Sequence, residues 1–166
     1  MSVTAAVTII TYRNKEVLLL KRAENPLDPW SGHISLPGGR IEDKDSSALE
    51  AAVRETFEEC TIDLSQHEVA HYLEAEKAGL TTETSIKVMP FHFNLPEKPH
   101  INLQLEEHAD YYWVNMDILR NSKGHSLKAK SAGFPDRLFP CVDINGTDLW
   151  GFTYKVLQDF FKLLDK

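Results

Sequence analysis

The stretch SLPGGRIEDKDSSALEAAVRETFEEC, Ser35–Cys60, decides how the chain is read. From Ser46 to Cys60 the residues Leu49, Ala52, Val53, Thr56, Phe57 and Cys60 recur at i, i+3, i+4, i+7, which predicts a helix with one apolar face. Asp45 or Ser46 is a natural N-cap. The preceding PGGR, Pro37–Arg40, reads as a tight turn whose glycines let other groups come close. At ~100° per residue, Glu55, Glu58 and Glu59 fall within an arc of about 100° opposite the apolar face. Each like-charge pair at i, i+3 or i, i+4 costs roughly 0.2–0.5 kcal/mol, and the last turn of a helix disfavours anions. Arg54 offsets part of this through Glu50 or Glu58. Two readings stand: a solvated acidic face, or converging carboxylates that hold a hard divalent cation through oxygen. In the second, a further carboxylate can serve as base toward metal-activated water. A glycine-rich turn feeding a helix can also present carbonyls to a metal and N–H groups to an anion.

Outward from this stretch the pattern is mostly strand. VTAAVTIITY and EVLLLKR, separated by Arg13-Asn14-Lys15, predict a hairpin. AENPLDPWSGH is a loop punctuated by Pro and Gly, and ISL a short strand. EVAHYLEAE, TSIKVMPFHFNL and ADYYWVNM are further strands, with KAGLTTE and PEKPH between them. WGFTYKVLQDFFKLL predicts a closing helix with Phe152, Val156, Leu157, Phe160 and Leu164 on its apolar stripe. The predicted order β-β-β-α-β-β-β-α suits an α/β (α+β) fold, a mixed sheet packed between helices, in a single domain over residues 1–166.

With 166 residues, 42% hydrophobic and 26% charged, the chain is long and apolar enough for one globular core. A net charge of −7 argues against nucleic-acid polymers and anionic membranes as partners, but not against a small phosphorylated ligand. Cys60 and Cys141 lack metal or disulfide spacing and read as reduced thiols. The opening MSVTAAVTII reads as a strand rather than a leader, and no apolar run reaches the ~18 residues of a membrane span. A cytoplasmic protein is expected.

On these residues the sequence resembles the Nudix hydrolases, whose signature is G-x5-E-x7-R-E-U-x-E-E-x-G-U with U aliphatic. Gly39–Ile62 carries its charged core, Arg54, Glu55, Glu58 and Glu59. One extra residue separates Gly39 from Arg54, Ser46 stands at the spacing of the first Glu with Asp45 beside it, Thr56 takes the first aliphatic position, and Thr61 replaces the last glycine. PGGRIEDKD resembles the lengthened loop of the coenzyme A pyrophosphatase-like subgroup. LLLKRAENPLDPWSGHISLPGG keeps Arg22, Gly32 and the PGG of that subgroup's upstream element, but has Ala23 for Ser, Leu36 for Phe and Asp28 for its second Arg. FPCVDINGTDLWGFTYKVL resembles the subgroup's C-terminal strand and helix start.

The resemblance implies a mixed-sheet Nudix fold and water attack on a diphosphate, assisted by Mg²⁺ or Mn²⁺. The metal ligands would be Glu55, Glu59 and the carbonyl of Gly38, with Glu58 completing the cluster or handling the attacking water. Arg54 would hold the carboxylates in register, and Glu107, chosen among Glu106, Glu107 and Asp110, would be a further catalytic carboxylate. Arg22 and Arg40 flank the site as candidate phosphate-binding cations. The substrate would be a nucleoside diphosphate linked to another moiety, coenzyme A-like by subgroup. A nucleoside triphosphate, nucleotide sugar, ADP-ribose or dinucleoside polyphosphate stays open, as do a catalytically silent nucleotide-binding module and a homodimer. Trp30, Tyr111 and Tyr112 suit either base stacking or sheet packing. The histidines show no paired ligand spacing, so a His-ligated metal is not expected, and Cys60 reads as core. Specificity is expected in loops 24–32 and 120–134.

Overall fold

The computed structural model describes residues 1–166, apart from the side chain of Ser122. Strands β1 (Val3–Tyr12) and β2 (Glu16–Arg22) form the expected hairpin. Arg13 and Asn14 both have positive φ, 50° and 51°, and Lys15 N–H donates to the Tyr12 carbonyl at 2.9 Å. Two consecutive left-handed residues match the right-handed twist of the strands, and Asn takes that conformation at small cost.

Beyond the turn the two strands part. They pair directly only at Thr11↔Val17 and Tyr12↔Glu16. β1 instead runs parallel to β7 (Ile86–Leu95), while β2 runs antiparallel to β8 (His108–Asn115). In the gap, β3 (Ile34–Ser35) lies against β2, and β4 (Gly38–Arg40) lies against Ala5–Val7 of β1. β5 (His71–Tyr72) and β6 (Glu76–Ala78) pair with β7. A second sheet contains β9 (Ser126–Ala129), β10 (Leu138–Ile144) and β11 (Thr147–Leu149).

Helices cover both faces of the large sheet, as expected. Successive strand residues point to opposite faces. Ile10, Leu18 and Leu20 therefore pack with Ala52 and Cys60 of α1 (Ala48–Cys60), while Ile9 and Leu19 pack with Val156, Leu157 and Phe160 of α3 (Gly151–Leu164). Burial on both sides explains why EVLLL reads as a continuous apolar run: Val17 to Leu20 are fully buried. Among the described residues no helix is long and apolar enough to cross a membrane.

Several expectations are corrected. PGGR is not a tight turn, because Gly38–Arg40 pair with β1 as strand β4. The N-cap of α1 is Ser47, not Asp45 or Ser46. Its hydroxyl accepts from Glu50 N–H at 3.1 Å, while the Glu50 carboxylate reaches back to Ser46. EVAHYLEAE contains only the short strand β5, and β6 begins at its last residue and runs into KAGLTTE, which was expected to be a turn or loop. A short helix, α2 (Met116–Arg120), follows β8 unpredicted, capped by Asn115, whose side chain accepts from Asp117 N–H at 2.8 Å. On α1, Phe57 is exposed and Glu59 is buried, so the carboxylate arc does not lie wholly opposite the apolar face.

Candidate active site

Strand β4 and the last two turns of α1 face each other across one side of a cavity of about 460 Å³. Gly38, Gly39, Arg40, Glu55 and Glu59 line it, with Arg22 and Asp28 from the loop side and Glu106 and Glu107 from the segment before β8. The glycine pair explains the close approach. A Cβ on Gly38 would lie 2.3 Å from the Ala6 carbonyl oxygen and 2.6 Å from the Val7 Cα, and Gly38 has φ +151°. A Cβ on Gly39 would lie 2.5 Å from Glu55 Cδ. The first glycine lets β4 dock on β1, and the second leaves room for a carboxylate.

Arg54 organises the polar side of the helix. Its Nε and Nη2 donate to Oδ1 and Oδ2 of Asp45, each at 2.9 Å, and its Nη2 also donates to the Arg40 carbonyl at 3.1 Å. Its Nη1 reaches Glu55 Oε1 at 3.1 Å and Glu58 Oε2 at 3.1 Å. The forked guanidinium thus ties the β4–α1 loop to two of the three carboxylates, which a point-charge ammonium cannot do. The side-chain hydrogen bond from Arg54 holds the Asp45 carboxyl down at about 2. Asp45 therefore supplies a permanent anion beside Arg54. Ser46, at the spacing of the missing signature Glu, faces Glu50 instead.

Glu59 is 3% exposed. Its Oε2 accepts from Gly38 N–H at 3.3 Å. Burial pushes its pKa up against the opposing influence of His108 and the Gly38 N–H. Burial likewise raises Glu55, which Arg54 opposes and Glu59 reinforces. Two raised carboxylates on one cavity wall are short of positive charge. Glu58 is half-exposed, stays with Arg54 and is not among the cavity-lining residues.

The structure adds a residue that the sequence reading set aside. His108, 1% exposed, brings Nε2 to 3.2 Å from Glu59 Oε2. The contact lies off hydrogen-bond geometry, so both ring nitrogens are unpartnered among the described residues. One ligand atom each from Glu59, Glu107 and His108 lies within 4.8 Å of the others. No pairwise histidine spacing could have signalled this, because the partner is on α1, 49 positions away. Carboxylate oxygens with an orphaned imidazole nitrogen form a donor set that fits a divalent cation. Glu107 is exposed, and its carbonyl accepts from Ala23 N–H at 2.8 Å, which seats its segment beside Arg22.

Of the two candidate phosphate-binding arginines, Arg40 is exposed and makes no ion pair among the described residues. Arg22 is held by Asp28, with Nε at 2.9 Å and Nη2 at 2.8 Å from Oδ2. Beyond Arg22, Gly38 and Gly39 the cavity continues into a second, mainly apolar one of about 660 Å³, walled by Trp30, His33, Leu80, Trp150 and Phe152. Tyr111 and Tyr112 sit on β8 and line neither cavity.

Helix α1 ends on Thr61, where φ is +60°. The left-handed conformation is the one the signature glycine would supply. The Thr61 hydroxyl compensates by donating to the Cys60 carbonyl at 2.7 Å and accepting from Asn102 N–H at 3.1 Å.

A family model described as NUDIX domain matches residues 2–133. An uncharacterized Nudix hydrolase, NudL, of Yersinia pestis is 30% identical over 156 residues, covering 93% of this chain and 76% of that protein. An uncharacterized protein of Schizosaccharomyces pombe is 37% identical over 109 residues, which are 62% of this chain but only 33% of that protein. Among solved structures, a Caenorhabditis elegans Ap4A hydrolase superposes with a TM-score of 0.63 at 21% identity, covering 99% of this chain and 98% of that one. The NUDIX domain of Shewanella oneidensis NrtR, complexed with ADP ribose, gives 0.66 at 14% identity, covering 99% and 89%. At those identities the two structures speak for the fold.

Proposed function

The chain belongs to the Nudix hydrolase family, and we propose that it is a Mg²⁺- or Mn²⁺-dependent pyrophosphohydrolase. Its substrate on this reading is a nucleoside diphosphate joined to a second group, coenzyme A-like molecules being favoured. The observation that carries the reading is Glu59: a carboxylate 3% exposed, raised by burial, beside Glu107 and an unpartnered His108 on a cavity wall. Support for a coenzyme A-like substrate comes from PGGRIEDKD and from the adjoining apolar cavity, which has room for a group beyond the diphosphate.

Glu55 and Glu59 would hold the cation, with the Gly38 carbonyl as a further ligand and His108 as a nitrogen donor, and Glu58, now tied to Arg54, would complete the carboxylate set. A bound divalent cation neutralises the diphosphate oxygens and makes water a better nucleophile. Arg54 keeps Glu55 and the β4–α1 loop in place throughout. Glu107, exposed and seated by its backbone beside Arg22, takes a proton from the attacking water as general base. Arg40, free of competing anions, and the unengaged Nη1 of Arg22 hold the diphosphate. Attack breaks one P–O bond of the anhydride and leaves two phosphate monoesters. Cys60 and Cys141 are buried free thiols, which suits a reducing cytoplasm.

Product analysis over coenzyme A, ADP-ribose, NADH, a dinucleoside polyphosphate, a nucleotide sugar and dGTP, with Mg²⁺ or Mn²⁺ and with chelator, tests the reading. Metal-dependent cleavage of at least one compound is expected, and its loss in Glu59→Gln with the fold intact. Near-normal turnover by that variant would overturn the metal assignment. Cation binding without turnover of any compound would leave a nucleotide-binding module.

A further inference from the structure

Backbone bonds tie the segment that carries His108 to the same residue its ring faces. The Gln104 N–H donates to the Glu59 carbonyl at 2.8 Å and the Asn102 N–H to the Cys60 carbonyl at 3.2 Å, which clamps the stretch before β8 to the end of α1. The N–H groups of Glu107 and His108 both donate to the Gln104 carbonyl, each at 3.0 Å, and β8 starts there. The register of β2 with β8 shifts between Lys21 and Arg22, at the pair Arg22↔His108. Such an irregularity re-aims a side chain. The imidazole is 1% exposed, while Ala109 and Asp110 beside it are exposed.

Burying an imidazole with neither nitrogen partnered among the described residues costs free energy that a ligand can recover. Nε2 lies 3.2 Å from Glu59 Oε2 without the geometry of a hydrogen bond. That separation suits two donors on one ion, since neighbouring ligands about 2.1 Å from an octahedral cation stand about 3.0 Å apart. Mg²⁺ takes oxygen donors and sheds its water reluctantly, whereas an imidazole nitrogen favours first-row transition ions. We propose that His108 sets the cation preference of the site: as a directly bonded nitrogen ligand beside Glu59, it selects Mn²⁺ over Mg²⁺. This rests on the metal assignment of the hydrolase reading and narrows it, through a ligand that comes from β8 and not from the RExxEE helix.

Pulsed electron paramagnetic resonance of Mn²⁺ bound to the tag-free protein reads the bond itself, without substrate. Wild type is expected to show the nitrogen modulation of a directly bonded imidazole, and His108→Gln to lose it while still binding Mn²⁺. Glutamine brings an amide oxygen toward the place of Nε2, so the variant exchanges a nitrogen donor for an oxygen donor. In Mn²⁺ titrations with Mg²⁺ as competitor, wild type is expected to bind Mn²⁺ at least about a hundredfold tighter than Mg²⁺, and His108→Gln to narrow that ratio about tenfold through loss of Mn²⁺ affinity. Thermal unfolding in chelator checks that the variant folds. If it does not, labelling histidine alone with heavy nitrogen decides the case, because His108 is the only histidine in the carboxylate cluster among the described residues.

Bound Mn²⁺ without nitrogen modulation, or an unchanged Mn²⁺-to-Mg²⁺ ratio in His108→Gln, would overturn the proposal and leave an all-oxygen site, with the hydrolase reading intact. Nitrogen modulation without turnover of any diphosphate would uphold the proposal, and the hydrolase reading alone would fail. Absence of Mn²⁺ binding by wild type would overturn both.

Discussion

Gly38 and Gly39 are adjacent in sequence, yet alanine at each should do opposite things. A Cβ on Gly38 meets backbone: the Ala6 carbonyl oxygen at 2.3 Å and the Val7 Cα at 2.6 Å. β1 cannot yield there, because it is paired with β7 along its whole length. Adding the φ penalty at +151° to overpacking against an immovable strand gives about 4 kcal/mol of lost stability. For a chain of this size that is a drop in Tm of about 10 °C. A Cβ on Gly39 meets only the far end of the Glu55 side chain, Cδ at 2.5 Å and the two carboxylate oxygens at 2.6 and 2.8 Å. Glu55 can swing away, losing its contact with Arg54, a change of less than about 1 kcal/mol. The displaced carboxylate is, however, one that lines the cavity. Gly39→Ala should therefore leave apo Tm within about 3 °C of wild type while weakening Mn²⁺ binding at least about tenfold. Thermal unfolding in chelator and a Mn²⁺ titration followed by electron paramagnetic resonance measure the two quantities separately. Unchanged Mn²⁺ affinity in Gly39→Ala, or equal Tm losses in the two variants, would refute the reasoning.

Three further outcomes are expected. Glu59→Gln should match or exceed the apo stability of wild type, since the buried carboxylate gives up its desolvation cost; a large loss in chemical denaturation would mark the Glu59–His108 contact as structural instead. Arg54→Lys should cost about 2 kcal/mol and most of the activity, because one ammonium cannot span Asp45, Glu55, Glu58 and the Arg40 carbonyl; retention of wild-type turnover would show that the fork is dispensable. His92 is fully buried, with Nε2 2.7 Å from the Thr11 hydroxyl and Nδ1 2.9 Å from His71 Nδ1, and burial lowers its pKa to about 3. Below pH 6.5 the unfolded chain binds the extra proton and the folded one does not, so stability falls with pH by about 1.4 kcal/mol per unit toward pH 3. Denaturant titrations at pH 7 and pH 5 should differ by about 2 kcal/mol, and a difference that persists in His92→Gln would assign the effect to other groups.

The hairpin, both long helices and the clustering of Arg54 with three glutamates were legible in the sequence because they depend on short-range rules: twist-matched turns, period 3.6 and i, i+4 neighbours. The same rules place Glu55, Glu58 and Glu59 on one arc, and the structure agrees that Glu55 and Glu59 reach one cavity. They cannot say which part of the helix surface the sheet will cover. The 3.6 period places Phe57 on the apolar face, yet the covered face runs through Ala52, Thr56, Glu59 and Cys60, and it is Glu59 that the sheet buries. PGGR looked like a turn because the partner that makes it a strand, Ala5–Val7, lies more than thirty residues earlier.

The neutralising of Arg22 by Asp28, the arrival of His108 at Glu59 and the fit of Glu55 into the space over Gly39 are likewise products of packing. Which residues carry charge, and where a helix can form, was determined by the sequence itself. Which of those charges are buried, matched or left short of a partner was decided only by the tertiary structure, since desolvation and pairing depend on neighbours that chain connectivity does not specify.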